Sequence, residues 1–200
     1  VTLFNGDGRD HPAAVVAVGK KAVVLAVRDA VPADREARFP VWVAAALPKG
    51  DRADFMIEKL TELGATRFVP LLTVRAVVLP KESAVEKLAR AVVEASKQCG
   101  RNVLMAVDPP QRWEAFARRA DLPAAKALLH TADGGPLPVA GPGGVVVAVG
   151  PEGGFDAGEV ASGTAAGWAT GSRWSAPPTA AGASCGSSPS VGPASGFRPG

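Results

Sequence analysis

No apolar run in this 200-residue sequence approaches the roughly 18 residues a membrane-spanning helix requires, and no charged-then-apolar leader opens it. A membrane partner is therefore not expected. Cysteine is nearly absent. Cys99 and Cys185 form no disulfide framework and have no metal-ligand spacing, so a reducing cytosol is expected, without a metal. Charge of either sign is scarce in excess: the formal net charge is +3. That permits an RNA or phosphate partner without arguing for one, because any basic patch would have to be local. What is present is core material. A hydrophobic fraction of 47% beside 20% charged residues describes a folded globular chain, not a disordered one. The first residue is Val1, which reads as a cropped start or a GUG start codon.

Residues 13–28, "AAVVAVGKKAVVLAVR", read as two strands joined around Gly19-Lys20-Lys21, after a turn-rich "LFNGDGRD". One hairpin cannot bury its own apolar face, so this looks like the end of a small β-domain. The polar stretch 29–40 reads as a linker. From Val41 the pattern alternates. "VWVAAAL" (41–47) is a strand, and "DRADFMIEKLTELG" (51–64) a helix with Met56, Leu60 and Leu63 on one face and Gly64 at its end. "RFVPLLTV" (67–74) is a strand in which Pro70 marks an edge or bulge. "SAVEKLARAVVEASKQCG" (83–100) opens with Ser83 and Glu86 in capping-box spacing, keeps Val85, Leu88, Ala89, Val92 and Cys99 on one apolar face, and ends at Gly100. "NVLMAV", "RWEAFARRA", "KALLHT" and "GVVVAVG" continue to residue 150. Strands that are continuously apolar and alternate with helices imply an α/β domain, its sheet mostly parallel and covered on both faces.

Ligands bind such sheets outside the carboxyl ends of the strands. In "VVVAVGPEGGFDAGEV" (145–160) the strand stops at Gly150-Pro151-Glu152-Gly153-Gly154, and Asp156 with Glu159 caps a helix. Glycines there let a ligand reach bare backbone amides beside a helix amino terminus. A tight turn without a ligand is the alternative. The spacing is neither that of a P-loop nor that of the dinucleotide fingerprint.

"LPKGDRADFMIEKLTELGATRFVPL" (47–71), "EASKQCGRN" (94–102), "LLH" (128–130) and "VGPEGGF" (149–155) occur in one order after "LFNGDG". Together, over about Leu3 to Trp168, they closely resemble the RsmE family of small-subunit ribosomal RNA methyltransferases. The resemblance implies methylation of a uridine N3 with S-adenosylmethionine as cofactor, on small-subunit ribosomal RNA or the assembled subunit, by a cytoplasmic homodimer. It implies a SPOUT-type α/β domain with a carboxyl-terminal trefoil knot, preceded by a PUA-like β-barrel of which only a remnant is present. The implied divisions are residues 1–32 (β remnant), 33–40 (linker), 41–168 (methyltransferase domain) and 169–200 (tail).

By the same resemblance, Leu129, His130, Gly150, Pro151, Glu152, Gly153 and Gly154 line the cofactor pocket. For His130 the alternative is a hydrogen-bonded strand-end histidine, and for Glu152 a turn cap. Arg101, in a Gln-x-Gly-Arg-like turn with Gln98, is the candidate catalytic residue, stabilising the imide anion left when N3 loses its proton. Its alternative is to satisfy helix-end carbonyls beside Gly100. Lys49, Arg52, Arg75 and Gln98 are the candidate RNA contacts. Val74 stands where the family usually has an acidic residue.

The pattern is expected to fail after Trp168. Residues 169–200 contain no Leu, Ile, Asp, Glu or Lys, where the family continues with a strand, a loop that completes the cofactor pocket and a helix. A frameshift is the favoured reading of this tail, a natural extension the other. Two rival functions follow: a non-catalytic RNA-binding remnant unable to hold the cofactor, or an unrelated nucleotide-binding α/β protein.

Overall fold

A computed structural model describes residues 1–130 and 135–171. The chain opens as a small antiparallel sheet. Its strands are β1 (Thr2–Leu3), β2 (Arg9–Val18), β3 (Val23–Val27) and β4 (Val31–Pro32), with β1, β3 and β4 all pairing with β2. A bulge between Val15 and Ala17 twists the β2–β3 hairpin. This sheet buries little. Ala13 is inside, whereas Val16, Val18, Val23 and Val24 are exposed.

The second sheet is parallel throughout. Its order is β11 (Ala169–Gly171), β9 (Ala125–Leu129), β10 (Val145–Val149), β5 (Val41–Ala45) and β6 (Arg67–Leu72), with β7 (Ala106–Val107) and β8 (Gln111–Arg112) both on the far edge of β6. Side chains alternate across a strand, and here the alternate residues serve two cores. Ala45 and Phe68 face α1 (Arg52–Glu62) and α2 (Glu82–Cys99), joining Ile57, Leu88 and Val92. Ala44, Val69, Leu71, Val146 and Ala148 face α3 (Trp113–Ala117) and α4 (Ala157–Ala165), joining Trp113, Phe116, Phe155 and Trp168. In that second core the Trp113 ring lies 4.9 Å from Phe155 and 5.2 Å from Trp168.

Pro70 lies inside the sheet, fully buried, rather than at an edge. Phe68 O accepts from Asp108 N, so Phe68 and, two residues on, Pro70 direct their backbone groups to the β7/β8 side. There β7 pairs Arg67 and Phe68 and β8 pairs Leu71 and Leu72. The missing N–H falls in the gap between them.

Four further expectations change. Leu63 is exposed: the buried stripe of α1 runs through Ile57 and Thr61, and a residue two places beyond Thr61 points about 200° away from it. Cys99 is also exposed, because the buried stripe of α2, through Leu88, Val92, Ala95 and Ser96, leaves the helix one turn before its end. The Ser83–Glu86 box is not used; α2 begins at Glu82 with Lys81 as N-cap and no side-chain cap bond. The pattern does not fail at Trp168, since Ala169–Gly171 add a parallel edge strand to β9. The remainder of the expected tail and of any knot, residues 172–200, lies outside the described residues.

Candidate functional site

β10 runs residue for residue with both neighbours, Val149 standing opposite Ala45 and Leu129. Three strands therefore end level, and the Gly150–Gly154 loop emerges at the centre of that edge. Gly150 is confined: a Cβ there would stand 2.9 Å from Phe155 N and 3.0 Å from Gly154 C. Gly154 takes φ +68 and donates its N–H to Pro151 O at 2.7 Å, closing the turn. α4 follows with a complete capping box, Asp156 Oδ1 accepting from Glu159 N and Glu159 Oε2 from Asp156 N.

The buried Glu159 carboxylate does more than cap. Its Oε1 accepts the Val74 N–H at 2.8 Å, tying the loop after β6 to the start of α4. Arg75 then donates to Gly153 O at 2.6 Å. From the other side Arg52 donates to Glu152 at 2.8 Å, an exposed pair. Two arginines thus brace the glycine loop. At the position where the family usually has an acidic residue, the Val74 side chain is exposed and only its backbone makes this contact.

Two cavities flank the loop and share Val149 to Gly153 as a wall. One, about 320 Å³, is completed by Arg75, Leu129, His130 and Phe155. The other, about 380 Å³, is completed by Ala45, Leu47, Lys49, Met56 and Val77. His130 donates its backbone N–H to Gly171 O at 3.2 Å, so β11 helps hold the end of β9 in place. All seven expected pocket residues, with Lys49, Arg52 and Arg75, come together here.

Arg101 and Gln98 do not. Arg101 is buried, with Nε and one terminal nitrogen on Glu36 at 2.6–3.1 Å and the other on Thr61 O and Ala65 O at 3.2 and 2.7 Å. Those carbonyls precede β6, at the amino-terminal edge of the parallel sheet. The length of β6, roughly 20 Å at about 3.3 Å per residue, separates Arg101 from the glycine loop. Its geometry is that of an arginine satisfying carbonyls at a helix end, Thr61 O in the last turn of α1 and Ala65 O just after it, rather than those of its own helix. Gln98 lies on an α1–α2 cleft with Asp54 and Glu94. The perturbed ionisations also lie elsewhere: the Arg119 hydrogen bond holds Asp121 below its ordinary value and raises Arg119 in return. Among the described residues no cluster of histidine, cysteine or carboxylate side chains is placed to hold a metal, and no helix is long and apolar enough to cross a membrane.

A family model described as an RNA methyltransferase domain matches residues 35–172. The chain belongs to this RNA methyltransferase family. It is similar to the Ribosomal RNA small subunit methyltransferase E of Synechocystis sp., 36% identical over 147 residues, covering 70% of this chain and 48% of the relative. A Bacillus subtilis protein of the same name is 36% identical over 100 residues, covering 48% of this chain and 39% of the relative. The chain thus spans at most about half the length of these two relatives. Among solved structures, a Legionella pneumophila methyltransferase in complex with SAM superposes with a TM-score of 0.77 at 31% identity, covering 84% of this chain and 72% of that one. The Neisseria gonorrhoeae Ribosomal RNA small subunit methyltransferase E, bound to S-adenosyl methionine, superposes with a TM-score of 0.78 at 26% identity, covering 86% and 75%.

Within this RNA methyltransferase domain, sequence reading missed Glu159 as a strut and Met56 and Val77 as cavity walls. The capping-box spacing marked Glu159 as an acceptor, but a capping box accounts for only one of its oxygens. Val77 carries no signal at all, since it follows a strand in a stretch without periodicity.

Proposed function

We propose that this chain is an RsmE-like enzyme that transfers a methyl group from S-adenosylmethionine to N3 of a uridine in small-subunit ribosomal RNA, acting in the cytoplasm as a homodimer. The observation that carries the reading is the Gly150–Gly154 loop, seated at the carboxyl end of the central parallel strand in a domain that belongs to the RNA methyltransferase family.

The residues present fit the cofactor. The smaller cavity offers backbone from Gly150 to Gly154 and from Leu129 and His130, and at Gly153 an added Cβ would reach only the Arg75 side chain. When bound, S-adenosylmethionine supplies a methyl group already activated by its sulfonium. The remaining requirement falls on the protein: the target base must present N3 without its proton, and a cation must stabilise the resulting imide anion. Lys49, on the larger cavity, is the candidate for that contact or for the adjoining phosphate, with Arg52 nearby through its pair with Glu152. Arg75 enters as a brace of the cofactor loop and Arg101 as a positioning residue. The alternative of a non-catalytic remnant draws only on the composition of residues 172–200, and the glycine loop with its cavity favours the enzyme.

The test has two arms. In a ¹⁵N-resolved titration with S-adenosylmethionine to millimolar concentration, the amides of Leu129, His130, Gly150, Glu152, Gly153 and Gly154 should shift. Small ribosomal subunits incubated with the protein and methyl-labelled cofactor should yield labelled 3-methyluridine on digestion. Absence of both results would refute the reading; label on another base would overturn the N3 assignment.

A further inference from the structure

The small antiparallel sheet and the parallel sheet share no hydrophobic core. Both core clusters are built from Trp42 onward, and none of residues 1–40 belongs to either. What joins the two sheets is mostly polar. Gly8 N donates to Asn102 O at 3.2 Å, and a Cβ at Gly6 would stand 3.3 Å from Leu104 Cδ1. The side-chain hydrogen bonds that cross from the small sheet to the other described residues end on one carboxylate, Asp10. It accepts from Arg35 at 2.7 and 3.2 Å and from Asn102 Nδ2 at 3.2 Å.

Arg35 and Glu36 stand in the segment between the sheets, and both are fastened to the parallel-sheet domain. Arg35 donates to Gly100 O at 2.7 Å. Glu36 accepts three bonds of 2.6–3.1 Å from Arg101. The segment is therefore held on that domain from Arg35 onward, whereas β4, ending at Pro32, pairs with β2 of the small sheet. Ala33 and Asp34 are left between them as the hinge, and the Arg35–Asp10 pair spans it. The two ion pairs differ in their access to water: Arg101 and Glu36 are 5% and 24% exposed, Arg35 and Asp10 49% and 22%. Dissolved ions screen an exposed pair and weaken a buried one much less. The join thus has a firm end on the domain and a releasable end on the small sheet.

That sheet carries charge worth positioning. From His11 to Arg28 there is no acidic residue, and Lys20 and Lys21 at the β2–β3 turn, with Arg28, are exposed. Such cations meet phosphates whatever the base sequence. We propose that Arg35 and Asp10 are positioning residues for the RNA substrate. Their pair locks the hinge at Ala33-Asp34 and so fixes where Lys20, Lys21 and Arg28 stand relative to the glycine loop. With the pair broken, the small sheet turns as a unit and its cations lose that placement. The use for RNA rests on the RNA reading above; the lock itself does not.

The test is ¹⁵N relaxation of the full chain. At about 0.1 M salt, where charges are screened over about 10 Å, the amides of β2 and β3 should share one rotational correlation time with those of β5, β6 and β10. In Arg35→Ala, or in the unaltered protein at about 1 M salt and a screening length of about 3 Å, β2 and β3 should report a shorter time. Retained amide shifts within β2 and β3 would show that the sheet is still folded. Arg35→Lys, which keeps the charge, should lie between. Arg35→Ala should also bind small-subunit ribosomal RNA at least threefold more weakly, while the response of Gly150 and Gly153 to S-adenosylmethionine stays the same. A single correlation time in Arg35→Ala, or separate times in the unaltered protein at 0.1 M salt, would overturn the lock. Unchanged RNA affinity in a variant whose sheet moves freely would overturn the positioning role. Failure of the S-adenosylmethionine titration would sink the methyl-transfer reading and leave the lock standing, because relaxation reads different amides.

Discussion

An alanine methyl at position 150 would stand 2.9 Å from Phe155 N, a backbone atom held by the turn around it. The loop must then shift, and overpacking of this kind costs roughly 1–3 kcal/mol. Gly150→Ala should lower the melting temperature by several degrees in a calorimetric scan and weaken cofactor binding with it. Position 153 behaves differently, because a side chain there meets the flexible Arg75, with Cδ 3.4 Å from the added Cβ. Gly153→Val should keep the melting temperature yet reduce S-adenosylmethionine affinity at least tenfold, about 1.4 kcal/mol. Unchanged affinity by titration calorimetry would leave the loop a mere turn. Arg101→Ala would strand the Glu36 carboxylate and the carbonyls of Thr61 and Ala65. Breaking a buried pair from one side costs about 3–5 kcal/mol, with the low end expected because Glu36 is partly solvated. The urea midpoint should drop, and lysine should restore little because it lacks the planar fork. A large loss of turnover at an unchanged midpoint would instead make Arg101 catalytic.

At the scale of elements, the strut from Glu159 to Val74 joins the loop after β6 to α4. Glu159→Gln keeps one acceptor but turns an amide donor toward either Val74 N or Asp156 N. The Arg75 brace should loosen, and cofactor affinity should fall with only a small change in melting temperature; equal affinity would show that the strut does not govern the loop. β10, the capping box of α4 and the left-handed Gly64 and Gly100 were legible because each is a local signal: an apolar run between turns, a fixed spacing, a glycine at a helix end. β11 was not. Ala169-Thr170-Gly171 has no apolar period and is a strand because β9 offers it a ladder. Pro70 argued for an edge, since the gap between β7 and β8 exists only once both have paired with β6. The site shows the same division. The glycine loop could be read from its residues, whereas Arg101 could not, because a Gly-Arg turn after a helix looks the same whether its side chain meets RNA or the end of α1.

For the whole molecule, the cavity proposed for the cofactor is lined by the ends of β9 and β10, and β11 (Ala169–Gly171) pairs with β9 beside it. Residues 172–200 supply none of the leucine, isoleucine or acidic residues with which the resembled family completes its pocket. The 200-residue chain should therefore bind S-adenosylmethionine weakly. Replacing residues 172–200 with the corresponding segment of the Synechocystis relative should raise affinity at least tenfold by calorimetry; equal affinities would show that the described residues suffice. The level strand ends carry a different consequence, for the kinds of inherited change the molecule can survive. Val146 and Ala148 belong to the aromatic core and Val149 to the opposite one, in step with both neighbours. Exchanging one small apolar letter for another leaves that arrangement standing. Deleting a single codon within 145–149 would turn every later residue of the strand to the wrong face and draw Gly150 inside it. Among descendants of this gene β10 should vary in spelling but never in length.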